Sequence, residues 1–305
     1  ARTFCKPFER LGLIKQVGNK KIVTNLGDKF INNEIESPDL LLNFALKWEL
    51  PNSGDKSFKD IKDINIKPIV GMLALIDSVN EIWSENNKPV GLNDWESNLF
   101  IHTFVNYNEL SNTVKKIIDT RIHLKTLNND AEKKEYLKTF QNNYIADYIF
   151  RDPTKATSNK IDTAYRTLRD YTRQTVPNLQ IPGLVEKRGY MNVDITQSSL
   201  EQTKQLVKNQ LYKPIGFKSY DEYMDYLTDL DSFIAPWTEA GKEQDVLDSL
   251  DNLLDINENE IENLINSQSI KLPVNNSNLL SDSQNISDRK TALKQKNAIE
   301  LQSNY

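Results

Sequence analysis

Apolar residues recur at helical spacing over most of the chain, and this rhythm is broken twice by short alternating stretches around a glycine. Phe4, Phe8 and Leu11 fall at i, i+4 and i+7, which predicts a helix over 2–11. Arg2, Lys6 and Arg10 take its opposite face, with Thr3 beside them. Pro7 opposes this helix, since an interior proline costs about 3 kcal/mol. Leu13 to Val17 then reads as a strand, Gly18-Asn19 as a two-residue turn and Lys20 to Thr24 as the returning strand. Asn25 can cap a helix running through Phe30. Helix, tight hairpin, helix is the order in which a winged-helix domain ends. The helix before the hairpin would be its recognition helix, and the first helices of such a domain would precede Ala1.

Ser37-Pro38 offers a serine cap and a proline in the first helical turn. The helix they start carries Leu41, Phe44, Ala45 and Trp48 inward and stops near Pro51. Lys67-Pro68 opens a long apolar helix, and 93–106, 109–127 and 130–150 read as three more. Strands and helices do not alternate, which argues against a parallel sheet. A polar connector over 151–160 precedes a second occurrence of the first pattern. Ile161, Tyr165 (or Ala164), Leu168 and Tyr171 form an apolar helical face, with Arg166, Arg169 and Arg173 opposite. A connector over 175–183 leads to a hairpin in which Leu184 to Glu186 pairs with Tyr190 to Ile195 about a turn at Lys187-Arg188-Gly189. The expected fold is mainly α with small β-hairpin wings, built as two winged-helix-like recognition subdomains. These occupy 1–150 and 151–218, and an acidic helical tail and linker fills 219–305.

Composition narrows the function. The 305 residues hold no uncharged apolar run near the roughly 18 needed to span a bilayer; the best are 68–76 and 98–108. The single cysteine, Cys5, excludes an internal disulfide and a multi-cysteine zinc site, and fits a reducing compartment. Charge is segregated. Tyr220 to Ile265 holds fourteen acidic residues and one lysine, a net of −13, whereas Arg151 to Lys218 carries a net of +6 and the first 35 residues +4. Blocks of opposite sign suggest one surface for a polyanion and another that is solvated or regulatory.

No glycine loop of the phosphate-binding type is present. His102 and His123 lie in helical stretches without metal-ligand spacing. Pro38-Asp39 followed by Asp60 and Lys62 satisfies the text of a PD-(D/E)xK nuclease motif. That chemistry needs convergent carboxylates on adjacent strands, whereas Pro38-Asp39 starts a helix and Asp60 sits in a lysine-rich loop. Glu132 to Lys134 reads as a solvated helix face. No residue is therefore assigned as catalytic or metal-binding. The basic pattern points instead to duplex DNA, where a helix in the major groove reads base edges and surrounding cations hold phosphates. The candidate contacts are Arg2, Thr3, Lys6, Arg10, Lys15, Asn19, Lys20 and Lys21 in the first block. In the second they are Tyr165, Arg166, Arg169, Arg173, Lys187 and Arg188.

Gly12-Leu13-Ile14, Thr24, Gly27, Lys47-Trp48, Pro51, Ile66 and Pro68 together resemble the recognition region of the AlwI-type family of type IIS restriction and nicking endonucleases. The block from Thr163 to Ile195 resembles that family's second recognition subdomain. The resemblance implies a bacterial, cytoplasmic protein that binds a specific short site in double-stranded DNA and cuts outside it. It also implies a Mg²⁺-dependent nuclease domain or second subunit as partner. The reading of the residues finds no counterpart of that domain before Tyr305, so a recognition fragment is expected, with no cofactor of its own. A non-enzymatic winged-helix regulator or replication initiator is the alternative that the basic blocks leave open.

Overall fold

In the computed structural model the chain divides into 1–237 and 238–305. The described residues are 2–54, 63–85, 88–150, 155–188 and 192–230, all in the first unit. The tail beyond 230, including the linker read over 272–285, lies outside them.

Helix α1 (Arg2–Arg10) contains Pro7 in its interior and ends at Gly12, whose positive φ turns the chain into β1 (Ile14–Val17). β1 pairs antiparallel with β2 (Lys20–Val23), with Ile14 opposite Val23 and Val17 opposite Lys20. Helix α2 (Asn25–Ile31) follows. Its cap is Thr24 and not Asn25. The Thr24 hydroxyl accepts from Gly27 N at 3.0 Å and donates to Gly12 O at 2.5 Å, so one side chain joins helix start to turn. A Cβ on Gly27 would come within 2.1 Å of Leu13 O, which explains the glycine three residues after the threonine.

Helix α3 (Ser37–Lys47) starts one residue earlier than expected. Glu36 takes the cap position without a side-chain bond, Ser37 is helical, and Pro38 sits in the first turn where its missing N–H costs nothing. Helix α4 (Pro68–Ile82) is buried on most sides, which accounts for its continuous apolar sequence. A short hairpin not anticipated from the pattern, β3 (Ser84–Glu85) with β4 (Lys88–Pro89), precedes α5 (Asp94–Phe100). Helices α6 (Leu110–Thr126) and α7 (Asp130–Ile145) follow, the latter continuing as one wider turn over Ala146–Phe150.

Helix α8 (Ser158–Gln180) runs through Pro177, where a connector was expected. The proline is exposed, while Val176 and Leu179 on either side are buried. At roughly 1.5–3 kcal/mol for each buried side chain, those two offset the lost helical bond. The second hairpin pairs β5 (Val185–Arg188) with β6 (Asn192–Ile195), so Lys187 and Arg188 are strand residues and not the turn. Helices α9 (Leu200–Lys208) and α10 (Tyr220–Thr228) complete the described part. The architecture is thus mainly helical with small antiparallel hairpins. No helix among the described residues is long and apolar enough to cross a membrane.

One cluster around α4 gathers Leu73 and Ile76 with Phe100 of α5, Ile117 of α6, Leu168 and Val176 of α8, and Val185 and Val193 of the second hairpin. A smaller one, Leu13, Leu26 and Leu40, joins the first hairpin to α2 and α3. Helix α3 therefore packs on the first helix–hairpin unit on one side and on the main core on the other.

Candidate nucleic-acid interface

The two basic blocks recur in sequence, but their side chains are used differently. In the first, Glu9 on α1 is 7% exposed and gathers its neighbours. Lys21 donates to its Oε2 at 2.7 Å, Lys6 approaches to 3.6 Å, and the Tyr220 hydroxyl donates to Oε1 at 2.8 Å. Lys6 also donates to Gly54 O. That same Tyr220 hydroxyl accepts from Gln16 N at 3.0 Å, tying the edge of β1 to α10. Burial opposes ionisation of Glu9, yet the bonds from Lys21 and Tyr220 and the charges of Lys6 and Lys21 outweigh it and hold the carboxyl below its ordinary value. Burial, reinforced by Glu9, raises the Tyr220 phenol. Lys6 and Lys21 are thus internal clamps. Glu9 was missed by the sequence reading; as the one acidic residue on a basic helix, three positions after Lys6, it carried a local signal.

Because partners across a strand pair share a face, the register separates the hairpin's two sides. Ile14, Gln16, Lys21 and Val23 lie toward α1, whereas Lys15, Val17, Lys20 and Ile22 share the other face. Asn19 and Lys20 are exposed at the tip and Lys15 is half-buried. Arg10 is exposed at the end of α1. Arg2 and Thr3 open α1, and their side chains lie outside the described residues.

In the second block the hairpin is the clamped part. Arg188 bonds Glu186 at 2.5 Å and reaches Asp194 at 3.0 Å, and Asp194, itself buried, accepts from Asn80 at 2.8 Å. The bond to Glu186, above all, raises the guanidinium further. Lys187 is exposed. On α8, Arg166 and Arg173 are exposed along the face opposite Leu168 and Val176. Arg166 bends back to Asp162 O at 3.4 Å. Arg169 is half-buried, 3.8 Å from Asp170, and Tyr165 is half-buried, accepting from Gln141 at 3.3 Å. Burial raises the Tyr165 phenol. Among the described candidates, the first block thus exposes Arg10 at the end of α1 and Asn19 and Lys20 at the hairpin tip, and the second exposes Arg166 and Arg173 on α8 and Lys187 on its hairpin.

The residues of the Lys-Trp-x-x-Pro run serve the scaffold. Lys47 is 1% exposed and donates to Tyr226 O at 2.9 Å and to Asp229 O, closing the end of α10. Trp48 stacks on Phe44 at 5.3 Å between ring centres. Buried Glu49 accepts from Ile215 N at 2.8 Å and Gly216 N at 3.0 Å. Lys67 donates to the Tyr226 hydroxyl at 2.9 Å; burial lowers its ammonium against the opposing charge of Glu49. Leu50 exchanges main-chain bonds with Ile66, bringing the run against the start of α4.

His102 lies 3.5 Å from Thr175 and burial lowers its imidazole, while His123 packs on Tyr136 with ring centres 4.2 Å apart. Asp39 stands exposed in the first turn of α3, and Asp60 and Lys62 lie outside the described residues. No group of three His, Cys, Asp or Glu side chains able to hold a metal ion occurs among the described residues.

The profile of the AlwI restriction endonuclease family matches residues 9–303. No curated protein matches the chain. Among solved structures, the chain is similar to the BpuJ1 endonuclease binding domain, crystallised in complex with pyrene- and phenanthrene-modified DNA. The TM-score is 0.44 at 13% identity, over 75% of this chain and 78% of that one.

Proposed function

Since the chain belongs to the AlwI restriction endonuclease family, we propose that its described residues recognise a short asymmetric site in double-stranded DNA, as the recognition part of a type IIS restriction endonuclease that cuts outside its site. The observation that carries this reading is the pair of cationic surfaces, Arg166 and Arg173 exposed on α8 and Lys20 exposed beside half-buried Lys15 on one face of β1–β2. Both lie outside the clamps that hold Lys6, Lys21 and Arg188. The helix–hairpin units act as winged helices with different contact parts. Helix α8 enters the major groove, where arginine reads guanine O6 and N7. The first hairpin holds the backbone, where lysine neutralises phosphate without sequence preference.

Cleavage is assigned to a nuclease part or a second subunit, where Mg²⁺ would supply Lewis-acid chemistry and an activated water. The described residues assemble no such ligand set, so none is assigned to the metal. Family membership favours this reading over a non-enzymatic regulator. Enrichment of a random duplex pool on the immobilised chain tests it. One short asymmetric motif should emerge, and its flanks should be cut in Mg²⁺ by the complete enzyme. Recovery of a pool without any motif would sink the proposal.

A further inference from the structure

At the middle of the exposed face of α8 stands a carboxylate. Asp170 comes nine residues after Ile161 and nine before Leu179, which is about two and a half turns each way. Both of those residues are buried, so Asp170 lies diametrically opposite the line on which the helix packs. Arg166 and Arg173 lie on one side of it and Thr167 and Gln174 on the other, each within about 60° around the helix, and all four are exposed. The one other acidic residue of α8, Asp162, follows buried Ile161 directly and lies on the flank. The Asp170 side chain is 59% exposed. Its spacing from Arg166 and Arg173 suits ion pairs along the helix. Among the described residues, however, the cation at its carboxylate is the neighbouring Arg169, at 3.8 Å, beyond hydrogen-bond reach. Arg166 turns to Asp162 O instead.

An ionised carboxylate only accepts hydrogen bonds, and on a helix that approaches DNA it is repelled by the phosphates. The middle of the exposed face is the part that reaches deepest into a major groove about 12 Å wide and 8.5 Å deep, with the phosphates at its rims. On the floor of that groove the amino donors are cytosine N4 and adenine N6. The adenine amino group sits beside N7, an acceptor that opposes the second carboxylate oxygen, whereas cytosine shows a C–H there. We propose that Asp170 is a specificity-determining residue, accepting a hydrogen bond from the N4 amino group of one cytosine in the recognised site. From Arg166 to Arg173 the helix rises about 10 Å, the length of about three base steps, so this cytosine lies between the contacts of the two arginines. The same carboxylate disfavours any duplex that places thymine O4 or guanine O6 and N7 at that position, so it discriminates by repulsion as well as by attraction. This inference rests on the DNA-recognition reading and adds to it one residue and one base.

The test uses the full chain, the duplex recovered by enrichment and a scrambled duplex, with affinity read by fluorescence anisotropy at fixed salt. Asp170→Ala changes an exposed helical position, and an unchanged melting transition confirms that the variant is folded. It should weaken binding to the enriched duplex roughly five- to a hundredfold, relax preference at one C·G pair, and tighten binding to the scrambled duplex, where only the repulsion is removed. A second arm leaves the protein intact and replaces each cytosine of the site in turn by N4-methylcytosine. That base keeps its pair with guanine through the remaining N–H and puts a methyl group where the major-groove hydrogen stood. One such replacement should weaken the wild-type chain by a similar factor and leave Asp170→Ala unaffected. If Asp170→Ala tightens both duplexes alike, the carboxylate only moderates the charge of α8; the assignment is then wrong while the DNA reading stands. An unchanged affinity of Asp170→Ala for both duplexes, a wild-type chain indifferent to N4-methylcytosine throughout the site, or a recovered motif without a C·G pair overturns it equally. If the wild-type chain binds no duplex at all, the underlying reading fails and this inference with it.

Discussion

Lys21 donates to Glu9 at 2.7 Å, whereas its neighbour Lys20 projects from the opposite face of the same strand. Adjacent lysines in one basic run thus have opposite assignments, one inward to a carboxylate and one outward toward solvent. Lys20→Ala should weaken binding to all duplexes alike and reduce the salt slope by about 0.9. Lys21→Ala should instead lower stability by roughly 1–2 kcal/mol, because Glu9 loses a charged donor while staying buried. Salt titrations of binding and urea unfolding of the two variants check this.

The same carboxylate makes stability depend on acid. Its folded value lies below that of the unfolded chain. The stabilisation is therefore complete above the ordinary carboxylate range and is lost as pH falls through the depressed folded value. Glu9→Gln should be less stable than wild type near neutrality, and the difference should close on acidification.

Asp77 behaves in the opposite sense. It is 4% exposed on α4, and burial, with Glu81 adding repulsion and Lys204 partly opposing, pushes its carboxyl up to about 6. The unfolded chain releases this proton first, so Asp77 costs stability progressively as pH rises from the ordinary aspartate value to about 6. Asp77→Asn should raise the melting temperature at pH 7 and leave it nearly unchanged at pH 4. Thermal unfolding at the two pH values reads this directly.

Lys47 closes the end of α10 through Tyr226 O and Asp229 O. Lys47→Met keeps the stem but removes the donor, leaving buried carbonyls unpaired. A loss of about 2–4 kcal/mol is expected, with the base preference of the remaining folded protein unaltered. Changed preference at full stability would move the Lys-Trp-x-x-Pro run from scaffold to interface.

Much of this fold was legible because its signals are local. The apolar run from Pro68 can hardly be other than a buried helix, and Gly18-Asn19 between short alternating strands marks its hairpin. Pro177 misled because a proline reads as a break, while the burial of Val176 and Leu179 that carries α8 past it is tertiary. The candidate interface was half legible. Spacing put Arg166 and Arg173 opposite an apolar stripe, and the structure leaves them exposed. Spacing offered Glu9 to Lys6 and Glu186 to Arg188, but it could not show that Glu9 also holds Lys21, that Asp194 reaches Arg188, or that Tyr220 bonds Glu9 from 211 positions away, all of which packing brings about.

The most direct test is the binding of Arg166→Ala and Arg173→Ala to the enriched duplex, to its single-base variants and to a scrambled duplex, at fixed salt. Each arginine that reads a guanine should cost about 1–3 kcal/mol on the cognate duplex and relax preference at one base pair, with little effect on the scrambled one. Equal losses on cognate and scrambled duplexes, or no loss on either, would contradict the assignment of α8 as the reading helix.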